Sequence, residues 1–313
     1  MEPRFSLPDS TPRSSKTELV IGGVKIYIYG LEELKRGSGV EIGVLHLAHM
    51  RTRTYLVTEA IAHEVLHRYR SDGRKKRFEL IAVTMDMRNH GEPNNNSSMD
   101  LLSVISASTQ DFKLILDYLP TYFPQFTKLH NIMLGISLGA HTSYRLASLA
   151  PSQIEGYAIV VGCPNLSSLL LTRLGIDPSL LNTTTAELGS IPYPHLEKAM
   201  NKEQKRRWPR ALAELIREGD RKVYEEFPTD VPMLICGGKQ DPLVPTLHTA
   251  AWLEKRREHV LVPGEERNVE VFVQENTGHS CTKEMVVGIA VWIGTLFEVK
   301  VVESTPVLAE ARL

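Results

Sequence analysis

Cysteine is scarce in this chain: Cys163, Cys236 and Cys281 are the only three in 313 residues. An odd, widely spaced set supports neither a disulfide framework nor the paired ligand spacing of a zinc site, and it fits buried thiols in a reducing compartment. A charge of one sign is also lacking, because 36 Lys and Arg face 37 Asp and Glu for a formal net charge of -1. With both signs spread along the chain there is no overall footprint for nucleic acid or an anionic membrane, and no nucleic-acid partner is expected. No run is long and apolar enough to span a bilayer, and the first ten residues lack the apolar stretch of a secretory signal. The expectation is a soluble intracellular protein, cytoplasmic or, from its last residues Ala311-Arg312-Leu313, peroxisomal, since a small, a basic and a leucine residue share the pattern of the Ser-Lys-Leu address. Internal repeats are absent, and Asn94-Asn95-Asn96-Ser97-Ser98 reads as a solvated loop before a helix.

What is present is an alternation of strand and helix patterns. Residues 18–30 alternate apolar and polar around Gly22-Gly23 and predict a hairpin. Strands are then predicted at 41–49, 78–85, 130–135, 157–163, 231–237 and 268–274. Helices are predicted at 58–69, 99–118, 138–149, 246–257 and 283–297 between and after them. This order predicts an α/β protein with a mostly parallel eight-stranded sheet covered by helices on both faces. Between residues 164 and 228 the strand pattern disappears, while 166–174, 195–205 and 210–225 look helical with prolines at their borders. The predicted organisation is a core of residues 1–163 and 229–313 interrupted after the sixth strand by a helical cap of residues 164–228.

Chemistry is signalled first by Gly135-Ile136-Ser137-Leu138-Gly139. A serine on a sharp strand-to-helix turn sits in strained backbone geometry, and small residues two positions away on either side relieve the crowding. The apolar run 132–134 before it and the helical pattern after it supply that context. Leu138 would open the helix, and its amide would help hold an oxyanion. A serine hydroxyl needs a base, and the base a carboxylate to fix its tautomer. Asp241 follows the strand 231–237 and His279 follows the strand 268–274, so both lie with Ser137 at the carboxyl edge of the sheet. They are the candidate acid and base. Cys163 and Cys281 come near these positions in sequence, but nothing around them would stabilise a thiolate, and packing is the expected role.

These residues, together with Gly238-Lys239-Gln240-Asp241, Val244-Pro245 and Gly278-His279, give the chain a resemblance to the α/β-hydrolase superfamily over almost its whole length. Asp86-Met87-Arg88-Asn89-His90-Gly91 is similar to a structural turn of that superfamily, with Asn89 replacing a glycine. The resemblance implies that the second oxyanion amide comes from the loop after the third strand. Where relatives have His-Gly, this chain reads His49-Met50-Arg51, so Met50 or Arg51 would be the donor and the Cβ of Met50 restricts the backbone there. It further implies that the cap walls off an apolar pocket over Ser137. Leu169, Leu170, Leu171, Leu174 and Leu180 are candidate lining residues, with His49 from the core, although leucines at such spacing also make a cap's own core. Lys202, Lys205, Arg206, Arg207 and Arg210 could meet a phosphate-bearing substrate such as an acyl-coenzyme A, or simply form a solvated face.

The expected function is hydrolysis of an ester or thioester of a mainly apolar small molecule through an acyl-enzyme on Ser137, with no metal or redox cofactor. Two rivals stay open. One is an acyl-transferring, cyclising or carbon–carbon bond-cleaving enzyme of natural-product metabolism. The other is a non-catalytic ligand-binding protein on the same fold.

Overall fold

Glycines at 22 and 23, with φ of 55° and 83°, take the left-handed backbone of a two-residue hairpin turn. They join β1 (Lys16–Ile21) to β2 (Val24–Tyr29) in antiparallel register. The computed structural model describes residues 4–35, 39–88, 98–259 and 268–299. The tripeptide Ala311-Arg312-Leu313 and the segment Asn89-His90-Gly91 lie outside them.

After the hairpin come β3 (Val40–Ala48), α1 (Tyr55–Ser71), β4 (Glu79–Met85), α2 (Ser98–Tyr122), β5 (Phe126–Ile136), α3 (Leu138–Leu149) and β6 (Gly156–Val160). Helical structure alone follows: α4 (Leu166–Arg173), two 3-10 turns (Pro178–Leu181 and Thr185–Ser190), α5 (Tyr193–Ala199), α6 (Lys202–Arg207) and α7 (Arg210–Glu226). The chain then returns to the sheet with β7 (Met233–Gly238), α8 (Leu247–His259), β8 (Val269–Gln274) and α9 (Lys283–Leu296). The eight strands form one sheet in the order β1-β2-β4-β3-β5-β6-β7-β8, parallel from β4 to β8. Among the described residues no helix is long and apolar enough to cross a membrane.

Parallel strands buried on both faces must be apolar at nearly every position. Residues 42–48 of β3 are accordingly all buried. Ile42 and Val44 point into the layer of α2 and α3, whereas Leu45 and Leu47 point into that of α1 and α9. The segment 195–205, predicted as one helix, is two. Asn201 and Gln204 make a reciprocal capping box, each side chain accepting the other's backbone N–H at 2.9 Å, and this starts α6 afresh. The strand predicted at 157–163 stops at Val160, because Val161 has φ of 45° and turns the chain away, so Cys163 lies past the strand's end.

α7 is tied to α3 by one buried ion pair. Arg145 of α3 donates to Asp220 of α7 at 2.7 Å, and Asp220 also accepts from the first amides of α4, Leu166 N at 3.2 Å and Ser167 N at 2.8 Å. The turn after β4 works similarly. Asp86 accepts from the Tyr55 amide at the start of α1 (2.7 Å), and Arg88 forks onto Asp111 of α2 at 2.7 and 2.8 Å.

Candidate active site

The turn from β5 into α3 exists because backbones meet there with no room for side chains. A Cβ on Gly139 would lie 2.1 Å from the Ala48 carbonyl oxygen, and one on Gly135 2.3 Å from the Gly139 carbonyl oxygen. Between these glycines Ser137 has φ of 55° and ψ of -108°, a region that non-glycine residues rarely occupy. Its amide is held by the Val160 carbonyl at 2.9 Å.

β7 and β8 deliver the other two groups to the same edge. Gly238 ends β7 where a Cβ would strike the Gly278 and Thr277 carbonyls at 2.2 and 2.4 Å, so the loop carrying His279 lies directly on the loop carrying Asp241. The result is a continuous hydrogen-bonded chain. His279 Nδ1 meets Asp241 Oδ2 at 2.7 Å, and His279 Nε2 meets Ser137 Oγ at 2.8 Å. An ionised carboxylate only accepts, so Nδ1 carries the proton and the Nε2 lone pair faces the serine. The other oxygen of buried Asp241 accepts from the amides of Leu243 at 2.8 Å and Val244 at 2.9 Å, which fixes the carboxylate plane.

Above Ser137 opens a cavity of about 450 Å³. Of the residues predicted around it, Met50, Arg51, Leu138, Leu170, Leu174 and Arg207 line it. His49 and Leu169 do not. His49 is buried beneath its loop, its Nε2 accepting from Met87 N at 2.9 Å and its Nδ1 donating to the Met50 carbonyl at 2.8 Å, so it pins the Met50 backbone instead of facing a substrate. Leu169 is buried in the core, Leu171 likewise, and Leu180 is exposed. Lys202, Lys205, Arg206 and Arg210 stay on the solvent side, with Arg206 paired to Glu203 and Arg210 to Glu214.

Sequence reasoning missed Arg173, His141, Val161 and Leu243 in the lining. A signal for Arg173 was present, since Leu170, Arg173 and Leu174 recur at the three- and four-residue spacing of one helix face. Cys281 also reaches the cavity, but burial pushes its thiol up to about 12, and burial raises Cys163 too, so both are protonated packing residues.

His141 in the cavity lining and two buried histidines elsewhere, His46 and His248, are held neutral. Burial, with Arg173 and Arg145 nearby, lowers His141 to about 3, and burial lowers His46 and, with Arg173, His248 to about 4. A folded value below the unfolded one means that the unfolded chain binds more protons. Stability is therefore lost as the pH falls from the unfolded value near 6.5 toward 4. Among the described residues neither ring nitrogen of fully buried His248 has a hydrogen-bond partner. His248→Leu is expected to remove about 3 kcal/mol of that acid sensitivity, read as a shallower fall of unfolding free energy between pH 6.5 and 4. A parallel fall in both proteins would contradict this.

Residues 55–286, the greater part of the chain, match the Alpha/beta hydrolase family. The chain belongs to that family. Among solved structures this α/β hydrolase is similar to TT1662 from Thermus thermophilus, with a TM-score of 0.60 at 16% identity over 92% of this chain and 100% of that one. A Pyrococcus furiosus esterase gives 0.52 at 15% over 95% and 98%. A thermostable carboxyl esterase from Bacillus coagulans, solved with glycerol, gives 0.52 at 15% over 92% and 100%. At these identities the likeness is one of fold. No curated protein matches the sequence.

Proposed function

We propose that this α/β hydrolase is a serine hydrolase that cleaves an ester or thioester of a mainly apolar small molecule through an acyl-enzyme. The observation that carries this reading is the chain from Ser137 Oγ through His279 to Asp241, at 2.8 and 2.7 Å, opening onto a cavity. Two of the similar structures are an esterase and a carboxyl esterase, in keeping with it.

In the proposed reaction His279 Nε2 takes the Ser137 proton as Oγ attacks the carbonyl carbon. The oxyanion is received by the Leu138 amide, at the first turn of α3, and by the Met50 or Arg51 amide, whose loop His49 holds from below. Imidazolium then protonates the leaving alcohol or thiol as its bond to the carbonyl carbon breaks. Water, deprotonated by His279, attacks the acyl carbonyl and returns Ser137. Residues 164–228 act as a cap in this reading, because Leu170 of α4, Leu174 at the cap that closes that helix, and Arg207 of α6 all line the cavity. Its volume suits a small molecule.

A fluorophosphonate probe is expected to add to Ser137 in the native protein, located by peptide mass mapping, and 4-nitrophenyl esters of short acids are expected to be hydrolysed. Ser137→Ala should lose both. Turnover surviving in that variant would defeat the proposal.

A further inference from the structure

Many arginines of this protein stand beside a carboxylate: Arg68 with Glu64, Arg88 with Asp111, Arg206 with Glu203, Arg210 with Glu214 and Arg221 with Glu218. The cavity over Ser137 departs from that habit. Among the described residues, Arg4, Arg51, Arg53, Arg173 and Arg207 all line it, no Asp or Glu does, and none of the five makes an ion pair. Arg206 and Arg207 are neighbours in one helix and both are exposed, yet Arg206 pairs with Glu203 whereas Arg207 lines the cavity.

These cations converge from separate parts of the chain. Arg51 and Arg53 lie on the loop after β3, Arg173 ends α4, and Arg207 ends α6. Arg4 is carried by the N-terminal segment, which is tied to the His279 loop by Phe5 N donating to the Cys281 carbonyl at 2.8 Å. Arg173 is also positioned, because it donates to the carbonyl of Leu243, the residue whose own amide holds Asp241. Burial holds its pKa below the ordinary arginine value, with the Arg51 charge adding to that push and the Asp241 carboxylate opposing it. With no Asp or Glu in the described lining, these like charges repel one another, while Asp241 acts on Arg173 and Glu203 on Arg207 from outside the lining. An oxyanion in the cavity would relieve the repulsion, and guanidinium forks match the geometry of carboxylate and phosphate.

We propose that the substrate is an ester or thioester that also carries an anionic group, a carboxylate or a phosphate, seated on Arg173 and Arg207 while its apolar part lies against Leu170, Leu174 and Val244. This rests on the acyl-enzyme reading of Ser137 and narrows it.

The test compares matched pairs that differ in charge. One pair is 4-nitrophenyl hydrogen adipate with methyl 4-nitrophenyl adipate, which places the charge on the acyl side. The other is hexanoyl-coenzyme A with S-hexanoyl-N-acetylcysteamine, which places it on the leaving group. The charged member of at least one pair is expected to have a kcat/KM about tenfold or more higher at low salt, chiefly through KM, and the advantage should shrink at about 0.5 M NaCl. In the double variant Arg173→Gln, Arg207→Gln the charged-to-neutral ratio should fall about tenfold. The salt dependence of the unaltered protein reads the same charge preference without relying on the variant's folding. Equal kcat/KM within both pairs, or a ratio that neither salt nor the variant moves, overturns the inference. Fluorophosphonate labelling of the same samples separates two failures: labelled Ser137 with no charge preference defeats this inference alone, whereas unlabelled protein defeats the acyl-enzyme reading and this inference with it.

Discussion

Asp241→Asn is expected to lower kcat on a 4-nitrophenyl ester by about four orders of magnitude while the protein stays folded. The size of the effect follows from the two backbone amides on Asp241 Oδ1. Leu243 N and Val244 N, at 2.8 and 2.9 Å, both need an acceptor, so the asparagine carbonyl oxygen is claimed by them. Its NH2 group must then occupy the place of Oδ2, 2.7 Å from His279 Nδ1. Two donors cannot share that contact, and the ring responds by moving its proton to Nε2. Nε2 then presents N–H to Ser137 Oγ and can no longer accept its proton. Fluorophosphonate labelling should slow in parallel, because it needs the same activated serine. A loss of less than tenfold would show that Asp241 does not orient His279 for catalysis.

Much of this arrangement is legible in the sequence where the constraint is local. The turn at Ser137 is written by Gly135 and Gly139, since each glycine answers a backbone contact that closes within a few residues or against the adjoining strand. The hairpin is written by Gly22-Gly23 for the same reason. Asp241 and His279 can be placed because strand order fixes which edge they share, although strand order alone does not bring them within 2.7 Å of one another. Side-chain direction is another matter. Leu169 and Leu170 are neighbours in the same helix, yet one enters the core and the other the cavity, a choice made by what α4 packs against. His49 is drawn beneath its loop by the Met87 amide, 38 residues away. The bonds of Arg88 to Asp111 and of Arg145 to Asp220 span 23 and 75 residues and leave no local pattern.

The Arg145–Asp220 pair gives the largest expected effect on stability. Asp220→Ala should lower the unfolding free energy by about 3–5 kcal/mol, a large share of the roughly 5–15 kcal/mol that holds a typical domain. The pair itself contributes little net stability, because burial raises the Asp220 pKa and lowers that of Arg145, each opposing the charged form. Removing one member is different. It leaves the Arg145 guanidinium buried without its counter-charge, and it strips the acceptor from the Leu166 and Ser167 amides that open α4. Replacing both members with apolar residues, Arg145→Met with Asp220→Leu, should restore stability to within about 2 kcal/mol of the native protein, the remainder being the two unsatisfied amides. Urea midpoints of the three proteins decide the matter. If the single variant loses less than about 1 kcal/mol, the desolvated charge is reaching water and the pair does not lock α7 onto α3. If instead the double variant stays as unstable as the single one, the loss comes from the helix start of α4, and Asp220 holds the cap through its backbone contacts more than through its charge.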